Sequence, residues 1–206
     1  MSSIDQRDHW DDPDGSYDPT ERALLLDLAI RAMERGLRQR DRWEPALDDH
    51  PDSLRAHRAS FVTLTSDGRL RGCIGSLRAT RPLGRDVARN AYAAAFEDPR
   101  FPPLAEAEFA WLEVQVSVLS PPQPMTFGSR RELLAQIRPG IDGLILEAGN
   151  RQGTFLPSVW EQLNDREQFL EHLIRKAGLP PGYWSEQLTV SRYTTESFAR
   201  PVSARP

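Results

Sequence analysis

The chain holds one cysteine, and it stands in the run Leu70-Arg71-Gly72-Cys73-Ile74-Gly75, where an arginine and two glycines surround a thiol. Read as a strand, the run puts Leu70, Gly72 and Ile74 on one face and Arg71, Cys73 and Gly75 on the other. A cation beside a thiol favours the thiolate over the neutral form, whose reference pKa is roughly 8.5, and the missing side chain at Gly75 would leave room for a ligand or partner. Two chemistries follow. Cys73 acts as a nucleophile with Arg71 stabilising anionic charge, or the Arg71/Cys73 face binds its target noncovalently. The competing reading makes Cys73 a small buried hydrophobe whose glycines admit a close-packed helix. A Cys/His catalyst also needs a base, and His57 stands just before the hairpin that carries the thiol, whereas His9, His50 and His172 have weaker placements.

A second group of candidates lies on a later strand. The run from Trp111 to Val118 alternates, with Leu112, Val114, Val116 and Val118 inward and Glu113, Gln115 and Ser117 together on the opposite face. A carboxylate at Glu113 and an amide at Gln115 would complement Arg71 if the two strands are neighbours, with Glu113 a candidate for proton transfer and Gln115 for binding. The simpler account is the polar outer face of a half-covered sheet. Asn90 sits among alanines in a helix, where its amide either bridges a packing seam or projects into a cleft. Asp86, one turn earlier, reads as ordinary helix surface in preference to a metal ligand. Phe101, Trp111, Trp160 and Trp184 read as core and seam fillers, because they lack the flanking cations of a nucleic-acid platform. No phosphate loop, dinucleotide fingerprint, zinc-protease motif, calcium loop or nucleophile elbow is present.

The whole chain narrows these options. Its 206 residues carry a net charge of -4, and the basic residues are scattered arginines with Lys176 the single lysine. That balance argues against a nucleic-acid partner. A lone cysteine forms neither an intramolecular disulfide nor a cysteine-based zinc site, so no metal or cofactor is expected. Neither a secretory signal nor an 18-residue apolar run is present, which makes a cytoplasmic, membrane-free protein the expectation. Residues 1–18, rich in Asp5, Asp8, Asp11, Asp12, Asp14 and Asp18, read as an acidic flexible leader.

The elements that must position the candidates are legible in turn. Asp18-Pro19-Thr20-Glu21 is a capped helix start, and Leu24, Leu28 and Ala32 form its buried stripe up to Gly36. An irregular stretch to His57 follows, anchored by Trp43. Two β-rich runs, 59–65 and 69–76, flank the turn Ser66-Asp67-Gly68. A small-faced helix spans Pro82–Glu97 and stops at Asp98-Pro99. After the alternating strand, Pro121-Pro122-Gln123-Pro124 marks a crossing into a second lobe. There a capped helix begins at Ser129, a hairpin pairs Leu144–Glu147 with Thr154–Leu156, a further helix starts at Ser158, another spans 165–177, and Leu188–Tyr193 is the last strand. The expected fold is α/β of the α+β kind: one two-lobed domain with antiparallel or mixed sheets flanked by helices, lobes 19–120 and 121–200.

These residues resemble the family called AmmeMemoRadiSam system protein A, the AMME chromosomal-region protein domain. The likeness spans roughly residues 20–198. It runs through Leu70-Arg71-Gly72-Cys73-Ile74-Gly75, Pro82-Leu83, Asp86-Val87, Asn90-Ala91, Ala94-Ala95-Phe96, Asp98-Pro99-Arg100-Phe101-Pro102-Pro103-Leu104 and Val116-Ser117-Val118-Leu119. In the second lobe it takes in Gly140-Ile141-Asp142-Gly143-Leu144, Thr154-Phe155-Leu156-Pro157, Val159-Trp160 and Lys176-Ala177-Gly178-Leu179. The resemblance implies a larger and a smaller lobe with a cleft between them, and a Memo-like protein and a radical-SAM protein as partners. Any iron-sulfur cluster would belong to the radical-SAM partner, because one cysteine cannot assemble the usual set. Gln115 departs from the glutamate usual in the family, which removes a charge while keeping hydrogen-bonding capacity. His57 lies outside the characteristic matches.

The function these readings support is an accessory or binding protein that presents Arg71, Gly72, Cys73, Gly75, Asn90 and Gln115 to a small molecule or partner enzyme. The alternative is a thiol-dependent enzyme using Cys73, Arg71 and Glu113, and a nucleic-acid-associated regulator is the weakest reading.

Overall fold

Helix α1 (Pro19–Gln39) begins as its sequence dictates: the Asp18 carboxylate accepts from the Thr20 and Glu21 amides, and the Glu21 carboxylate accepts from the Asp18 amide. The reciprocal bonds satisfy donors that the first turn leaves free, a cap worth about 1 kcal/mol. The helix runs past Gly36 to a left-handed Arg40, because Gly36 is a contact point where Tyr92 and Phe96 press on the helix. The computed structural model describes residues 17–203, so residues 1–16 of the expected leader lie outside the described residues.

Residues up to Leu119, together with those from Glu196, form one compact unit, and Ser120–Thr195 form another. In the first, a short helix α2 (Asp52–Arg55) interrupts the irregular connection, and Trp43 packs on the core as expected. Strands β1 (Ser60–Ser66) and β2 (Arg69–Gly75) pair antiparallel around Asp67 and Gly68, both at positive φ (50° and 71°). That is the backbone of a tight two-residue hairpin turn. Helix α3 (Leu83–Phe96), the short α4 (Glu106–Phe109) and strand β3 (Leu112–Leu119) follow, β3 antiparallel to β1. A strand β8 (Thr195–Pro201), beyond the last strand expected from sequence, lies beside β3, giving the order β2-β1-β3-β8. Alternation decides the core: Val62, Leu64, Val114, Val116 and Val118 are wholly buried in one cluster with α1 and α3.

The second unit has the order β4-β7-β5-β6, built from β4 (Gln123–Pro124), β5 (Gly143–Ala148), β6 (Arg151–Phe155) and β7 (Thr189–Tyr193), every paired neighbour antiparallel. Its helices are α5 (Arg130–Gln136) and α6 (Arg166–Lys176), and the latter buries Phe169, Leu170, Leu173 and Ile174. The helix expected from Ser158 is a single 3-10 turn, Pro157–Glu161. Its Trp160 indole donates to the Asp142 carbonyl at 2.8 Å and stacks on Phe169 with centroids 3.8 Å apart. Asp142, readable from sequence as a mere turn residue, is fully buried and accepts from the backbone and guanidinium of Arg138. The chain is thus a mixed α/β protein with two antiparallel sheets flanked by helices.

Candidate functional site

Cys73 occupies the edge strand of the first sheet, and its neighbours follow from the register. Thr63 on β1 opposes Cys73 on one side and Gln115 on the other, so Cys73, Thr63 and Gln115 form a row across three strands. The row faces away from the helices, because the flanking Val62, Leu64, Val114 and Val116 are the buried ones. The thiol is half-buried, and the Thr63 hydroxyl donates to its sulfur at 3.3 Å. Glu113 opposes Thr65, one pleat further along the same face. Strand spacing puts the Cα atoms of Glu113 and Cys73 roughly 12 Å apart, too far for direct proton transfer without an intermediary.

The first surprise is a bulge. Leu64 pairs with Gly72 but Thr65 pairs with Leu70, so Arg71 is an extra residue on β2 and the alternation shifts there. Leu70 therefore leaves the face it was expected to share with Gly72 and stands 45% exposed. Arg71 turns into the protein and grips Glu108 of α4 through Nε (2.8 Å) and Nη2 (3.1 Å), with Nη2 also donating to the Pro102 carbonyl at 3.0 Å. The Arg71 guanidinium, foremost by its hydrogen bonds, holds the Glu108 carboxyl below the ordinary range. These bonds commit the guanidinium to carboxylate and carbonyl partners, and Nη1 is buried with no acceptor.

The second surprise is a clamp that no spacing rule points to. An edge strand leaves alternate amides and carbonyls without a neighbouring strand. At Cys73 two side chains take their place: the amide donates to Asp98 Oδ2 at 2.9 Å, and the carbonyl accepts from Arg100 Nη2 at 3.1 Å. Asp98 and Arg100 are themselves joined, Nε to Oδ1 at 2.9 Å and Nη2 to Oδ2 at 2.7 Å. Arg100, foremost by hydrogen bonding, holds the Asp98 carboxyl far below the usual range although the residue is only 4% exposed. Phe101 lies between Arg71 and Arg100, whose guanidinium carbons stand 5.9 and 5.5 Å from its ring centre. By sequence alone Asp98 is a helix stop and Phe101 a core residue. The signal that marks them is the compact run Asp98-Pro99-Arg100-Phe101, which places an acid, a base and a ring within four positions.

The other candidates divide between this face and the packing behind it. Gly72 turns toward α3, where a Cβ would collide with the Ala94 carbonyl oxygen, and the space at Gly75 is filled by the Phe61 ring. Gly75 therefore leaves no opening, since its cross-strand partner Phe61 covers it. Asn90 lies in the seam: its amide donates to the Ser60 carbonyl at 3.0 Å and to Asp86 Oδ2 at 2.9 Å. Asp86 is fully buried, not surface, and also accepts from the Ser60 amide (3.0 Å), the Ser60 hydroxyl (2.8 Å) and the Ser76 hydroxyl (2.8 Å). Burial raises its pKa against the opposing pull of these donors. His57 bridges to Pro82 before β1 begins, six positions along the chain from Thr63. The structure thus gathers Cys73, Thr63 and Gln115, with Arg71 anchored beside them, and leaves Asn90 and His57 elsewhere.

Among the described residues, no group of three His, Cys, Asp or Glu side chains is disposed to hold a metal ion, and no helix is long and apolar enough to cross a membrane. Fold and site together define a class: two units, each with an antiparallel sheet and helices, the first carrying a thiol on a clamped, bulged edge strand. The chain belongs to the AMMECR1 family, whose model matches residues 26–198. A protein of Methanothermobacter thermautotrophicus is 39% identical over 180 residues, covering 86% of this chain and 93% of that relative. One from Thermococcus gammatolerans is 40% identical over 195 residues, covering 89% and 94%. The crystal structure of protein PH0010 from Pyrococcus horikoshii superposes with a TM-score of 0.81 at 37% identity, over 88% of this chain and 92% of that one.

Proposed function

We propose that the protein is a cytoplasmic accessory or binding protein that presents the Cys73–Thr63–Gln115 face to a small molecule or a partner enzyme. The observation that carries this reading is the double clamp on Cys73: both backbone groups of a residue with a half-exposed side chain are fixed by one ion pair, a buried Asp98 and a half-exposed Arg100. Edge protection alone is met by a lysine or proline; a carboxylate and a guanidinium acting together also hold one side chain at a set place. Arg71 contributes by anchoring α4 and Phe101 beside the strand. Membership of the family favours a Memo-like protein and a radical-SAM protein as the partners to try first.

A second reading, a thiol-dependent enzyme with Cys73 as nucleophile, draws support from the Thr63 hydroxyl, which donates to the sulfur and would stabilise a thiolate. One experiment separates the two. The rate of Cys73 alkylation by iodoacetamide is measured on the full chain, alone and with increasing amounts of each purified partner or of a cell metabolite extract. Saturable protection of at least fivefold, with Cys73→Ser still binding, supports presentation. Protection by a compound that is also consumed, with turnover abolished in Cys73→Ser, supports catalysis. An alkylation rate that neither partner nor metabolite changes sinks the binding reading.

A further inference from the structure

Trp111 does not fill a core. It stands 74% exposed and lines a shallow cavity of about 350 Å³ at the hairpin end of the first sheet. Three segments converge there: the tip Asp67-Gly68, the α4–β3 corner with Trp111, Leu112 and Glu113, and Pro201 at the end of β8. Backbone bonds set these walls. The tip is a two-residue turn with both φ values positive, the Trp111 amide donates to the Glu108 carbonyl at 3.0 Å, and the Val202 amide donates to the Leu112 carbonyl at 2.8 Å. The side chains are left uncommitted. Among the described residues neither the Asp67 nor the Glu113 carboxylate has a hydrogen bond or ion pair, and no basic residue lines the cavity. Arg69, the nearest cation along the strand, pairs in register with Ser66 and does not line the cavity.

We propose that this cavity binds a monovalent organic cation, an alkylammonium or guanidinium group, on the Trp111 ring with Asp67 and Glu113 as counter-ions. The electron-rich face of an indole attracts such a cation more strongly than any other side-chain ring, and a carboxylate adds a charge-assisted hydrogen bond. An anion would meet two like charges, and a purely apolar occupant would desolvate two carboxylates without giving them a partner. The volume, near the lower bound of roughly 300 Å³ for small-molecule pockets, suits one amine or one arginine side chain. The open setting makes the affinity weak, about millimolar for a single free cation.

The test uses the full chain labelled with 5-fluorotryptophan, the Trp111 resonance being assigned by its loss in Trp111→Phe. The titrants are N-acetyl-arginine methylamide, its neutral isostere N-acetyl-citrulline methylamide, and butylammonium. The expected result is a saturable shift of the Trp111 signal with both cations, at least tenfold weaker for citrulline and weakened by added salt. Glu113→Gln and Asp67→Asn should each cost about threefold in affinity. A short arginine-containing peptide binding tenfold tighter than the capped amino acid assigns the site to a protein partner, and equal binding assigns it to a free metabolite. Equal shifts from arginine and citrulline, or no saturable shift at Trp111, overturn the proposal.

Discussion

Asp86 and Asp98 flank the same helix, one in the first turn of α3 and the other two residues beyond its end, and both side chains are almost wholly buried. Their environments push them in opposite directions. Asp86 is surrounded by neutral donors, the Ser60 amide and hydroxyl, the Ser76 hydroxyl and the Asn90 amide, with Arg81 no closer than 3.5 Å. Burial dominates there and raises its pKa. Asp98 has a guanidinium in two-point contact, and that contact outweighs burial and lowers its pKa. A buried carboxylate satisfied by neutral groups joins α3 to β1; one satisfied by a cation closes the sheet edge at the thiol. Partner and depth act together: Asp86 lies deep in the seam among neutral donors, whereas Asp98 sits beneath a half-exposed guanidinium.

The largest expected effect tests the packing side. Asp86→Ala takes the acceptor from the buried Ser60 amide and Ser60 hydroxyl, and should cost about 3 kcal/mol in urea denaturation. A loss under about 1 kcal/mol would mean that water repairs the seam and that the network is not the tie between helix and sheet. Asp98→Ala should cost less, about 1–2 kcal/mol, because Arg100 is half-exposed and can turn to solvent. Its distinguishing consequence is kinetic: with the edge unclamped, native Cys73 alkylation should accelerate severalfold while Asp86→Asn leaves it unchanged. Equal acceleration in both variants would erase the division of labour between the two aspartates.

The smallest effect is in pH dependence, and the two residues have opposite signs. Asp98, lowered in the fold, contributes stability that is present above the unfolded value of about 4 and lost as pH falls toward its folded value. Asp86, raised in the fold, contributes stability that is full below about 4 and lost as pH climbs through its raised value. Denaturation curves across this range should therefore show that Asp98→Asn flattens the acid limb and Asp86→Asn flattens the decline on the other side. Identical changes in slope for the two variants would contradict the opposite shifts.

Much of this chain is written locally. The Asp18–Glu21 cap, the Asp67-Gly68 turn, the alternation of β3 and the small-residue face of α3 depend on residues within a few positions of one another, and each is found where its pattern places it. The thiol face was half legible: Cys73 and Gln115 do share a side, but the bulge at Arg71 redirects the arginine, and Phe61 closes the space at Gly75. Neither follows from period two, since a bulge is set by how the partner strand pairs and a filled gap by what sits opposite. The sequence by itself determined α1, β1, β2, α3, β3 and α6 and which of their stripes are buried, because propensity, capping and periodicity are short-range. Only the tertiary structure decided that β8 joins the first sheet, that Asp98 and Arg100 close the edge at Cys73, that Asp86 is interior, and that Trp111 is exposed, because each depends on a contact between segments far apart in the chain.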